Sequence, residues 1–180
     1  MSVFKFSKSA LLFDFDNING YVSSDPQALT NEDEFPYGVE FSPNSKVLYV
    51  SCYTKTYQFN LNVPNIKNSA INITSGVGSN IGALQLGPNG KIYCANYNQT
   101  FISTIHNPNV IGLGCNFQYN AINLGAGRST NGLPQFIQSY FNVGFNVANT
   151  CFGDTTTFTP TNNTTVTSAT WDFGDGNNST

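Results

Sequence analysis

His106 is the sole histidine in this 180-residue chain, so any Ser-His-Asp or Cys-His relay has to run through it. It sits in Ile105-His-Asn-Pro108, where the matching positions of two earlier segments hold Asp14 and Asn60, and it reads as a loop residue. No H-E-x-x-H and no G-x-S-x-G occurs. Asp14-Phe-Asp-Asn-Ile-Asn-Gly20 carries carboxylates and amides as a calcium loop does. Its glycine is misplaced and no glutamate stands at the twelfth position, so a polar turn after a strand is expected. Asp25, Glu32, Asp33 and Glu34 share one stretch and read as a solvated acidic loop, and Asp172 and Asp175 flank a turn. Gly76-Val-Gly-Ser-Asn-Ile-Gly82 places its third glycine one position too late for a dinucleotide fingerprint, and Gly125-Ala-Gly-Arg-Ser-Thr130 lacks that glycine.

The cysteines are Cys52, Cys94, Cys115 and Cys151. None forms a C-x-x-C pair, which removes support for a zinc or thioredoxin-like site. They read as buried thiols on strands. A Cys115–Cys151 bridge, or pairing of Cys151 with a cysteine beyond Thr180, stays open. The expectation is therefore no catalytic residue, no metal ligand and no cofactor. What remains are aromatic side chains. Tyr53, Tyr57, Tyr97 and Tyr119 can offer rings on which a glycan stacks, with packing between strands as the competing use. Glycans or cell-surface proteins are the expected partners, and no single residue is assigned to them.

Charge narrows the classes further. Charged residues make up 9% of the chain and the net charge is -3. The 7 lysines and arginines are scattered, so nothing can neutralise a phosphate backbone, and nucleic acid is excluded as a partner. No apolar run approaches the ~20 residues of a membrane span. Met1–Lys8 reads as a strand and lacks the apolar stretch of a leader peptide; if the protein is secreted, its leader is expected upstream.

The elements that carry these residues repeat. Tyr37-Gly-Val-Glu-Phe-Ser-Pro-Asn-Ser-Lys-Val-Leu-Tyr-Val-Ser51 matches Gly82-Ala-Leu-Gln-Leu-Gly-Pro-Asn-Gly-Lys-Ile-Tyr-Cys-Ala95. Phe41 aligns with Leu86, Pro43 with Pro88 and, after a one-residue loss in the turn, Tyr49 with Tyr93. Phe13-Asp, Phe59-Asn and Ile105-His recur at a similar spacing, each at the end of a short strand. A period of about 45 residues with strand, Pro-Asn turn and strand in each copy fits a four-stranded repeat unit. Val47, Tyr49 and Ser51 fall on one face and Leu48 and Val50 on the other, which predicts a strand buried on both sides. No segment carries a helical apolar period. The repeat stops near residue 142, and a Thr-rich stretch leads into Trp171-Asp-Phe-Gly-Asp-Gly176.

On these motifs, residues 37–105 resemble the YVTN-type seven-bladed propellers, themselves related in pattern to lactonase-like propellers, and depart from that pattern at Cys94 and Ala95. Residues 145–180 resemble the start of a PKD (polycystic kidney disease-like) domain, whose signature is Trp171–Gly176. Together with Gly132-Leu-Pro-Gln-Phe-Ile137 and Cys151-Phe-Gly-Asp154, the chain is similar to large surface proteins of Bacteroidota exported by type IX secretion. The resemblance implies an all-β chain. It comprises a partial β-propeller of two to three blades of about 45 residues over 1–142 and a truncated Ig-like (PKD) β-sandwich over 145–180. The chain is then expected to be a fragment, cut inside a propeller at one end and inside the sandwich at the other. The same resemblance implies an extracellular or cell-surface location and a non-catalytic binding, adhesion or spacer role. The alternative it leaves open is a lactonase-like hydrolase whose catalytic residues lie on other blades.

Overall fold

The computed structural model describes residues 9–32, 34–76, 80–134, 145–148, 155–160, 171–172 and 178–179. The protein is all-β. Its strands form several small antiparallel sheets, none closed on itself, and the described residues contain no α-helix, only short 3-10 turns at Lys67–Ser69 and Gly112–Cys115. The chain divides into two compact units, Met1–Gln135 and Phe136–Thr180. The expected boundary at residues 142–145 falls largely on residues outside those described, as do the first eight residues, expected as a strand.

The first unit opens with β1 (Leu11–Leu12), β2 (Phe15–Asp16), β3 (Tyr21–Val22) and β4 (Gln27–Ala28). The β2 and β3 strands form an exposed hairpin inside the wider pairing of β1 with β4. Two four-stranded meanders follow. The first runs β5 (Pro36–Phe41), β6 (Val47–Cys52), β7 (Thr56–Asn60), β8 (Ile71–Asn72). The second runs β9 (Ile81–Leu86), β10 (Ile92–Asn96), β11 (Phe101–Ile105), β12 (Phe117–Asn123).

The repeated Pro-Asn turns explain why each meander starts as it does. Pro43 and Pro88 cannot continue a ladder. The Asn44 and Asn89 side-chain oxygens accept the backbone N–H groups of Lys46 and Lys91 at 3.1 and 3.4 Å, closing both turns. Ser45 and Gly90 then take left-handed backbone, with φ 56° and 73°.

All six residues of β6 are buried, as its two-sided apolar pattern predicts. Val47 and Tyr49 face the second sheet, in one cluster with Leu84, Ile92, Cys94 and Ile105. Leu48, Val50 and Cys52 face the other way, in a cluster with Phe59 of β7 and Leu29 beside β4. Phe59 is wholly buried, and burial of such a side chain stabilises by up to about 3 kcal/mol.

Three features join the sheets. A Cβ on Gly38 of β5 would stand 2.6 Å from the carbonyl oxygen of Gly82 of β9, so the two first strands approach as only glycine permits. Ser51 Oγ accepts the Gly38 N–H at 2.9 Å and donates to that same Gly82 carbonyl at 2.6 Å. The carboxylate of Glu40 accepts the N–H of Leu86 at 2.8 Å. Gly82 in turn lies against the backbone of Asn131, whose carbonyl accepts the Ala83 N–H at 2.7 Å. Farther out, the loop between β11 and β12 folds over the first sheet. Gln58 accepts the N–H of Gly112 and donates to the carbonyl of Val110 and the hydroxyl of Tyr49, all at 2.7 Å. The Tyr49 hydroxyl in turn donates to the carbonyl of Pro108 at 3.0 Å. Every polar atom of the Gln58 head is thus used inside the fold, as burial requires.

Within the second unit, β13 (Phe145–Ala148) pairs with β14 (Thr157–Pro160), and β15 (Trp171–Asp172) with β16 (Asn178–Ser179). Residues 145–148, where the expected sandwich begins, are a strand. Phe158 packs on Phe145 with ring centroids 5.8 Å apart. Phe173 and the turn at Gly174–Gly176 lie outside the described residues.

Candidate functional site

The first strands of both meanders begin at one end of the first unit, and the hairpin ends of β6 and β10 come to the same place. Together they enclose a cleft of about 460 Å³, a volume typical of small-molecule sites. Phe35, Pro36 and Tyr37 line it from the start of β5, Asn80, Ile81 and Gly82 from the start of β9, and Asn131 from the segment beyond β12. Tyr53 and Tyr97 complete the wall. These two tyrosines occupy equivalent places, each in the turn that follows the second strand of its sheet.

The backbone of Asn80 ties them together. Its N–H donates to the carbonyl of Tyr53 at 3.2 Å, and its own carbonyl accepts the N–H of Tyr97 at 2.9 Å. Asn80 and its counterpart Phe35 both have positive φ, 81° and 50°. Asparagine tolerates that region, but for phenylalanine it costs roughly 1–2 kcal/mol. Strain of this kind persists where surrounding structure holds it, and such places are often functional. The rings stay open to solvent: Tyr53 is 66% and Tyr97 53% exposed, against 0% for Tyr49 in the core.

Of the four tyrosines picked from the sequence, Tyr53 and Tyr97 therefore meet in one cleft and the other two do not. Tyr57 packs on Phe59 with centroids 6.1 Å apart and donates to Glu34 Oε1 at 2.9 Å. Lys55 pairs with that same oxygen at 3.3 Å. Bonds to Tyr57 and then Glu34 hold the Lys55 ammonium above its ordinary pKa, and burial followed by Glu34 raises the Tyr57 phenol. Tyr119 sits edge-on to Phe101, with centroids 4.9 Å apart. Sequence reading missed Phe35, Tyr37, Asn80 and Asn131. The clue it passed over is that Tyr53 and Tyr97 keep the repeat spacing of Tyr49 and Tyr93, whereas Tyr57 falls on Ser103 in the second copy.

The remaining candidates take structural places. His106 is half-buried and bonded through Nε2 to Gln118 Oε1 at 2.8 Å. Asp16 closes the β2–β3 turn, accepting the Asn19 side-chain amide and the backbone N–H groups of Ile18 and Asn19, and these bonds lower its pKa in that order. Asp25 and Glu32 are exposed; Asp33, Asp175 and residues 77–79 of the glycine loop lie outside the described residues. Among the described residues no three His, Cys, Asp or Glu side chains converge as metal ligands. Cys52, Cys94 and Cys115 are free, buried thiols, and Cys151 is not among the described residues. Burial, then the Glu34 charge, pushes the Cys52 thiol up to about 12; burial raises Cys94 and Cys115 too.

The cleft lining carries no charge at neutral pH. It offers aromatic rings, two asparagines and backbone groups, which suits stacking and hydrogen bonding. No family model matches this chain, and no curated protein matches it.

Proposed function

We propose that this chain is a non-catalytic binding module of a secreted, cell-surface protein, and that its tyrosine-lined cleft holds a glycan. The observation that carries this reading is the pair of repeat-related, solvent-open rings, Tyr53 and Tyr97, fixed to either side of Asn80 in one cleft. A sugar ring presents an apolar face of C–H groups to an aromatic plane and hydroxyls to its rim. Asn80 and Asn131 stand at that rim with both donors and acceptors.

The two meanders are, on this reading, consecutive blades of a β-propeller. Their first strands start 45 residues apart, at Pro36 and Ile81. They touch through Gly38 and Gly82, and Gly82 meets Asn131 in the same manner. The second unit, with hairpins β13–β14 and β15–β16 and the Trp171–Gly176 motif, is then the opening of a PKD-like sandwich acting as a stalk.

The test is titration of the full chain against a panel of soluble glycans by calorimetry, repeated with Tyr53→Ala and Tyr97→Ala. Binding is expected in the wild type and lost at least tenfold in each variant, with thermal midpoints within about 2 °C because exposed side chains contribute little to stability. No binding to any glycan, or binding indifferent to both substitutions, would overturn the reading.

A further inference from the structure

The symmetry of the cleft narrows its ligand. Tyr53 and Tyr97 are one residue type at one repeat position, each following the second strand of its own sheet. The sheets are packed on each other through equivalent strands, so the two rings are the same device shown twice. A ligand that uses both equally must itself repeat. The lining also lacks any charged group, and the chain carries a net charge of -3. A carboxylate or sulfate drawn into the cleft would lose water and meet no cation in return. Asn80 and Asn131 can satisfy hydroxyls in either role.

We propose that the cleft selects an uncharged, linear oligosaccharide, with two of its rings stacked on Tyr53 and Tyr97. This rests on the glycan-binding reading above and adds chain length and charge to it. Joining two weak, equivalent contacts through one covalent ligand raises the affinity well above that of either alone. One ring should therefore bind weakly, two or three rings much more tightly, and further rings should add little.

The experiment uses the full chain and two series of probes: gluco-, manno- and xylo-oligosaccharides of one to six rings, and oligogalacturonides of the same lengths. In at least one neutral series, affinity is expected to rise at least tenfold between one ring and three and then level off. Tyr53→Ala and Tyr97→Ala should each return the trisaccharide to the affinity of a single ring, by similar factors. Tyr53→Phe, which keeps the ring, should stay within threefold of wild type. The charged series should bind at least tenfold more weakly at low salt. Equal affinity for one ring and three, or tighter binding of the galacturonides, overturns this inference and leaves glycan binding standing. Absence of binding in both series overturns this inference, and absence of binding to every glycan of the wider panel overturns both.

Discussion

Gly38 faces the carbonyl of Gly82 across the two sheets, with no room for a methyl group between them. The neighbours that a Cβ would strike are backbone atoms and the Ser51 hydroxyl, which itself bonds both glycines. None of these can swing aside without breaking a hydrogen bond of the inter-sheet clamp.

Gly38→Ala and Gly82→Ala are therefore expected to destabilise the first unit by about 1–3 kcal/mol each, with Gly82→Ala the worse because its methyl would meet Asn131 backbone on the far side. Gly132→Ala is the control. Nothing stands within 4 Å of its Cβ position, and its cost should stay within about 0.5 kcal/mol. Urea unfolding followed by tyrosine fluorescence measures all three.

The paired turns allow a comparison inside one molecule. Ser45 pays for left-handed backbone that its counterpart Gly90 adopts freely. Ser45→Gly should stabilise by about 0.5–1 kcal/mol and Gly90→Ala should destabilise by about 1 kcal/mol. Thermal midpoints moving in the same direction would show that the turns do not control stability in this way.

Gln58→Leu removes three hydrogen bonds while keeping a side chain of similar bulk. The Gly112 N–H and the Val110 carbonyl lose their partner, and each group left unpaired costs about 1–3 kcal/mol. Tyr49→Phe drops only the bond to Pro108 and the one accepted from Gln58, and should cost less. Hydrogen exchange of the Gly112 amide should quicken strongly in Gln58→Leu. Unchanged exchange would mean that the β11–β12 loop is held by other contacts.

Stability should also fall in alkali. Buried Cys52 keeps its proton to about pH 12, whereas the ordinary thiol value is 9.0, and Cys94, Cys115 and Tyr49 are shifted upward by burial as well. Above about pH 9 the unfolded chain gives up thiol protons that the folded chain retains, so each step up in pH towards 12 favours unfolding. Urea midpoints at pH 8, 9 and 10 should decline from the second to the third. A Cys52→Ala, Cys94→Ala, Cys115→Ala triple variant that folds should show a shallower decline.

The sheets were legible in the sequence because their causes are local. A Pro-Asn turn and a run of alternating or two-sided apolar residues specify each hairpin within some fifteen residues, and the period then exposes the second copy. The all-β class and the burial of Val47 through Cys52 follow from the same short-range pattern. The cleft was half legible. Tyr53 and Tyr97 carry a repeat signature, but nothing near Phe35 announces left-handed backbone, since a bulky side chain argues against it. Gln58 was invisible, because two of its three partners lie 52 and 54 residues away and a glutamine in a strand ordinarily points to water.

The Gln58 latch also sets an order of events during synthesis. The first meander is complete at Asn72, yet of the three groups bonded to the Gln58 head only the Tyr49 hydroxyl belongs to it, and Val110 and Gly112 follow about forty residues later. Until Val110 and Gly112 appear, that amide must stay hydrated, so the first sheet cannot close dry around it. The two meanders therefore mature together. A nascent chain stalled so that Asn72 has cleared the exit tunnel but Val110 has not should remain open to proteases in its first sheet, and one stalled far enough beyond residue 123 for both sheets to clear the tunnel should not.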